Sequence, residues 1–223
     1  MILDVKIKMN SHLYLRDPEQ SDLGRKIVKT GLHLINQIGF EEFTFKKLAK
    51  EINTTEAGIY RYFENKHRLL TYLTAWYWSF LEFKLNYHTN NIKDPKQKLL
   101  KVIEVLARPE ESKHDSDFIS EKEAYRLLMW EGSKAYLTRH VQDDNREMHF
   151  KPLKSLCAAI ATIILEFRPK YKYPHSLAST LMETAYSQKF FMINLPSLTD
   201  YKDKKDLNGL QKYLESIVFS ILK

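Results

Sequence analysis

A chain of 223 residues with 43% hydrophobic side chains can bury one or two cores and is too apolar to stay disordered. Its single cysteine, Cys157, excludes an internal disulfide and a cysteine-rich zinc site, and agrees with a reducing cytoplasm. The formal charge of +7 suits a nucleic-acid partner, yet the first 66 residues hold only 11 Lys and Arg against 9 Asp and Glu, so most of the surplus lies further along.

The opening MILDVKIKM alternates Val5, Ile7 and Met9 with Lys6 and Lys8, as a short strand would. Nothing later offers a partner strand, so residues 1–16 read as a flexible arm. The arm lacks the long apolar core and small-residue cleavage site of a secretory signal. Asp17-Pro18-Glu19-Gln20 is a helix start, with a capping Asp and Pro in the first position. The helix it opens has Leu23, Ile27, Leu34, Ile35 and Ile38 as its inner face and ends at Gly39. Thr44 caps a second helix, in which Phe45, Leu48, Ala49 and Ile52 fall at helical spacing. Asn53 stands at the sharp turn, where Asn tolerates a left-handed backbone. Thr55 caps a third helix with Ile59 and Phe63 inward and Glu56, Tyr60, Arg61 and Tyr62 outward. These are the side-chain types that reach phosphates and base edges. Asn65 caps the helix that begins at Lys66, so a cation and free amides meet where a phosphate could sit.

That fourth helix runs to about Tyr87 and carries rings on every side: Tyr72, Trp76, Tyr77, Trp78, Phe80, Phe83 and Tyr87. Such a helix is contacted from several directions and joins one core to another. Asp94-Pro95-Lys96-Gln97 opens a fifth helix, and the charged stretch 108–117 is a loop. Ser120-Glu121-Lys122-Glu123 is a capping box for a sixth, carrying Ala124, Leu127, Leu128 and Ala135. Asp144-Asn145-Arg146-Glu147 caps a long helix through Leu165, with Pro152 in its first turns and Arg168-Pro169 as its stop. Two more helices follow, 174–194 and 206–222. The fold class is all-α, with about nine helices.

No catalytic arrangement is present: no Gly-x-Ser-x-Gly elbow, no Gly-rich phosphate loop and no His-Glu-x-x-His, hence no cofactor and no metal is expected. His140 and His149 lie near Asp143, Asp144 and Glu147 but without helical ligand spacing. Aromatic stripes of this kind are more often plain core, but they also fit an effector pocket in which Trp76, Phe80, Trp130 and Tyr186 form apolar walls and Glu131 either orients a polar group or faces water. No apolar run is long enough to cross a membrane.

The order Ile59-Tyr60-Arg61-Tyr62-Phe63 followed by Glu64-Asn65-Lys66, with Thr44-Phe45-Lys46-Lys47-Leu48-Ala49 upstream, resembles the DNA-binding domain of the TetR family of bacterial regulators. The likeness runs from about Arg25 to Leu70. Asn53 and Ala57 occupy places where that family often has Gly, and Glu56 one where many members have Lys, Arg or Gln. The resemblance implies a three-helix helix-turn-helix domain over 17–65 and a larger ligand-binding and dimerisation domain over 66–223. It implies a cytoplasmic homodimer on a roughly palindromic double-stranded operator, most often a repressor, released by a small-molecule effector. The dimer would pair the last two helices, where Leu177, Leu181, Ala185, Leu210, Leu214, Ile217 and Phe219 serve either that pairing or the chain's own core. Thr44, Thr55, Tyr60, Tyr62 and Lys66 would hold phosphates and register, while Lys46, Glu56, Ala57, Gly58 and Arg61 face base edges. The alternative is a helical adaptor that keeps the fold and acts through a protein partner, a reading that Glu56 and the evenly spread charge favour.

Overall fold

The computed structural model describes residues 7–108, 118–201, 203 and 205–223. Val5 and Lys6 of the expected strand pattern, most of the 108–117 loop, and Lys202 and Lys204 lie outside the described residues. Within them the chain has no strand and ten α-helices: α1 (Asp22–Glu42), α2 (Phe45–Glu51), α3 (Glu56–Tyr60), α4 (Lys66–Thr89), α5 (Pro95–Ala107), α6 (Glu121–Glu131), α7 (Val141–Arg146), α8 (Lys151–Phe167), α9 (Pro174–Asn194) and α10 (Leu207–Ile221). The all-α expectation holds, and no described helix is long and apolar enough to cross a membrane.

Four local departures have local causes. Asp17 caps a short 3₁₀ turn at Pro18–Gln20, and Ser21 is the true cap of α1, accepting from the Gly24 amide at 3.1 Å. The turn folds so tightly onto α1 that a Cβ on Gly24 would lie 2.4 Å from the Pro18 carbonyl oxygen. The inner face of α1 is accordingly Ile27, Val28, Gly31, Leu32 and Ile35, while Leu23, Leu34 and Ile38 are half-buried. Ser120 makes no side-chain capping bond, because Glu123 turns to α1 instead. Its carboxylate lies 2.8 Å from Nδ1 of His33, and its carbonyl accepts from Asn36. The single helix expected through 144–165 is two, α7 and α8, separated by Met148 at φ 60. Asp144 is therefore inside α7 and buried rather than a cap.

The chain divides into two compact units. The first takes the chain up to Ser79 and the segment ending at Pro152; the second takes the segment from Phe80 and Leu153–Lys223. The division falls inside α4, and α6 and α7 belong with the helix-turn-helix, so it does not follow the expected boundary at residue 65. In the first unit α1 packs on α2 and α6, and α2 on α3. Leu32, Ile35, Phe43, Leu48, Ile59, Phe63 and Leu69 are its core. Every residue of α4 from Leu69 to Trp78 is buried, as the ring distribution predicts.

The N-terminal arm is packed over its described part. Leu13 is fully buried, Leu15 donates its amide to the Tyr62 carbonyl at 2.8 Å, and Asn10 donates its side-chain amide to the Glu147 carbonyl at 2.9 Å. In the second unit α10 packs on α5 and α9. Five of the seven residues expected across a dimer, Leu177, Leu181, Ala185, Leu210 and Leu214, are buried in this core, and Ile217 and Phe219 are half-buried.

Candidate nucleic-acid interface

The helix-turn-helix is assembled by short-range bonds whose donors and acceptors are adjacent in sequence. Thr44 Oγ1 accepts from the Lys47 amide at 3.2 Å and Thr55 Oγ1 from the Gly58 amide at 3.1 Å, which satisfies one free amide at the start of each helix. Asn53 holds φ 54 between them, and Thr54 donates its amide to Ala49 at 2.9 Å. Gly58 is closely packed where it stands: a Cβ there would meet Thr54 Oγ1 at 2.9 Å, so the Thr54 side chain would have to turn. Ile59 and Phe63 are fully buried and fix the rotation of α3.

That rotation leaves one polar face outward. Thr44, Lys46, Lys50, Thr55, Glu56, Ala57, Tyr60 and Arg61 are exposed, and Gly58 is half-buried. Lys46, Lys50 and Arg61 have no ion-pair partner among the described residues. Lys47 turns away to Glu42, donating to its carbonyl at 2.6 Å. Tyr60 is 47% exposed, and its ring is held edge-on against Phe45 at 5.1 Å. Lys50 adds a cation to this face that the sequence reading did not single out; its place on the last turn of α2 was the signal.

Two expected contact residues point elsewhere. Tyr62 is buried, with its hydroxyl 2.7 Å from Ser21 Oγ and Arg16 over its ring, so it braces α1. Lys66 Nζ donates to the carbonyls of Phe40, Glu41 and Phe43 at 2.9, 3.0 and 3.1 Å and lies over the Phe40 ring. A cation there complements the negative end of α1 and satisfies its last carbonyls. Asn65 does cap α4, accepting from the Arg68 amide at 2.9 Å.

Among the described recesses, only one is lined by more than a single expected pocket residue. Trp76, Phe80 and Tyr186 are buried in helix packing, and Trp130 is 48% exposed. Glu131 accepts from the Phe40 amide at 3.0 Å and pairs with Lys134 at 2.8 Å, so it holds the end of α1. Trp130 and Glu131 line only a small recess of about 220 Å³ with Gly39 and Arg126. A larger recess of about 880 Å³ lies in the second unit, where Phe83 and Tyr87 stack at 6.3 Å near Lys98 and Glu166. Those two rings were legible as aromatic; their exposure was not.

The acids near His149 do come together. Ligand atoms of Asp144, Glu147 and His149 lie within 4.8 Å of one another, a set able to hold a metal. Arg68 already supplies the cation: its guanidinium donates to Asp144 Oδ1 at 3.1 Å and Glu147 Oε2 at 3.0 Å, beside the His149 ring. Burial and the Arg68 charge push the His149 pKa down, and burial does the same to His67. The set reads as an arginine hub, and it was invisible in sequence because Arg68 lies far from its partners along the chain.

Comparison with known proteins finds a family model that matches the helix-turn-helix segment and solved structures that share the fold. Residues 27–73 match the model of the bacterial regulatory proteins, tetR family. No curated protein matches the sequence. Among solved structures the chain is similar to the superantigen PfiT, at 17% identity over 93% of this chain and 99% of that one, with a TM-score of 0.63. It is similar to AibR in complex with isovaleryl coenzyme A and operator DNA, at 14% identity over 87% and 98%, TM-score 0.59. The fatty acid degradation regulator FadR from Bacillus halodurans is similar at 14% over 88% and 96%, TM-score 0.57. Identities at this level speak for the fold.

Proposed function

This chain carries the N-terminal DNA-binding domain of the TetR family on a TetR-like fold, and from that premise we propose that it is a sequence-specific transcriptional regulator. The observation that carries the reading is the exposed side of the helix-turn-helix, where Lys46, Lys50 and Arg61 stand without ion-pair partners among the described residues and the exposed Tyr60 ring is held by Phe45. An unpaired cation on a domain of this shape is available to neutralise phosphate, and each such contact releases counterions. Thr44, Thr55, Tyr60 and Lys50 set register on the backbone, while Lys46, Glu56, Ala57, Gly58 and Arg61 face base edges. Tyr62 and Lys66 act from behind, holding α1 and α4 against the reading face.

The regulator works as a homodimer, since two recognition helices must enter successive major grooves of a roughly palindromic site. With most of the expected dimer residues in the chain's own core, pairing falls to the outward faces of the last two helices, and on α10 Tyr213 and Ile221 are exposed. A small-molecule effector releases the operator by preferring a form in which the helices are wrongly spaced. The recess beside Phe83 and Tyr87 has the size of a small-molecule site. AibR, described with both a coenzyme A ester and operator DNA, supports a ligand-controlled repressor as the mode of action.

The test is binding to DNA from upstream of the chain's own gene, against random duplex, at two salt concentrations. Tighter, sequence-dependent binding that weakens steeply with salt is the expected result. The same fold occurs in a protein described as a superantigen, so fold alone does not decide function. Feeble, salt-insensitive binding to a random-sequence pool would favour the helical adaptor acting through a protein partner.

A further inference from the structure

We propose that Glu56 is the specificity-determining residue of this face and that it reads a cytosine amino group in each half of the operator. The inference rests on the DNA-binding reading above and goes beyond it by naming a base. Glu56 is the first residue of α3 and is exposed. It makes no ion pair among the described residues, although Lys46, Lys50 and Arg61 are exposed on the same domain. Nor is it needed by its own helix, because Thr55 supplies the cap to the Gly58 amide.

The neighbouring residues clear its path. Ala57 is exposed and carries only a methyl group, and Gly58 carries no side chain at all. The leading edge of α3 therefore has little bulk to hold it away from a groove floor. Tyr60, one turn on, shares a side of the helix with Glu56, and its ring is held by Phe45. An extended Glu side chain is the longest group at that edge.

A carboxylate in this place faces a polyanion. Among phosphates it would be repelled, so its contribution is favourable only where it meets a donor. The donors on major-groove base edges are the amino groups of cytosine and adenine. Adenine sets its N7 acceptor beside the amino group, which opposes the second carboxylate oxygen. Cytosine presents its amino group without a neighbouring acceptor of its own and is the base that matches.

Selection from a random duplex pool by the native chain and by Glu56→Ala and Glu56→Gln tests this, with thermal unfolding of each variant as the folding control. The native chain is expected to enrich a C·G pair at one position in each half-site. Glu56→Ala should lose about tenfold of the preference at that position and keep the others. Glu56→Gln should move it towards adenine, which an amide can both accept from and donate to. An unchanged pattern with uniformly tighter binding by Glu56→Ala would overturn the inference and leave Glu56 a repulsive bystander. No enrichment by the native chain at any position would overturn the regulator reading itself.

Discussion

Lys66 carries three N–H donors, and the carbonyls of Phe40, Glu41 and Phe43 take all of them. Removing the ammonium leaves the last carbonyls of α1 without those bonds, in a half-buried place. Lys66→Ala is therefore expected to lower stability by about 1–3 kcal/mol, read as a fall in the urea midpoint. Its DNA binding, measured where the variant is folded, should keep the native salt slope. A slope reduced by about one would instead return Lys66 to the phosphate contacts. The pair Tyr60 and Tyr62 shows what sequence can and cannot display at this scale. Both look outward by residue type, and the caps at Thr44, Thr55 and Asn65 and the turn at Asn53 are legible because each partner lies within a few residues. Tyr62 is assigned by Ser21, 41 residues away, and no local pattern announces that bond.

The end of α1 is held as an element by residues from two other helices. Phe40 gives its amide to Glu131 of α6 and its carbonyl to Lys66 of α4, and Gly39 before it adopts φ 78 and ψ 158. That backbone region is open essentially to Gly alone. A Cβ on Gly39 would meet nothing closer than Glu131 Oε1 at 3.6 Å, so space is available and only the backbone objects. Gly39→Ala should cost roughly 1–3 kcal/mol by strain without any clash. The complementary variant, Glu131→Ala, should speed hydrogen exchange at the Phe40 amide, whereas Glu131→Gln keeps an acceptor and should leave it slow. Equal exchange in both variants would show that the carboxylate does not hold this amide. Gly39 is readable as a helix end, but the return of the chain to helical hydrogen bonding after it is not. The break between α7 and α8 is hidden for the opposite reason: Met148 at φ 60 is a residue type that seldom turns this way.

At the scale of the whole molecule, composition and periodicity carry the helical class, and the helix-turn-helix is legible nearly residue by residue. The grouping of helices is not, because it depends on long-range polar partners such as Arg68 with Asp144 and Glu147. That hub predicts how the fold answers to acid. His149 is buried, faced by Arg68 of α4 and by Asp144 and Glu147 of the α7 region at 3.2 and 3.1 Å. His67 faces Asp144 at 3.8 Å, with Arg68 and His140 also acting on it. Both imidazoles have their pKa lowered, with burial the leading cause. The unfolded chain, with His near 6.5, then binds protons that the folded chain refuses. Their contribution to stability is complete above pH about 6.5 and is lost as pH falls through the lowered folded values. The urea midpoint should therefore decline below that pH, and His149→Gln should flatten the decline.

Removing Arg68 should weaken the trend. In Arg68→Met, one of the causes that lower the His149 pKa is gone while Asp144 and Glu147 remain beside it, so its pKa rises towards the unfolded value and the decline below pH about 6.5 becomes shallower. The variant should also lose about 3–5 kcal/mol at neutral pH, because Asp144 keeps its charge in a buried place. A variant that merely loses stability, with the native slope against pH, would mean that burial alone governs His149. A shallower slope would show that the Arg68 charge adds to burial in holding the His149 pKa down.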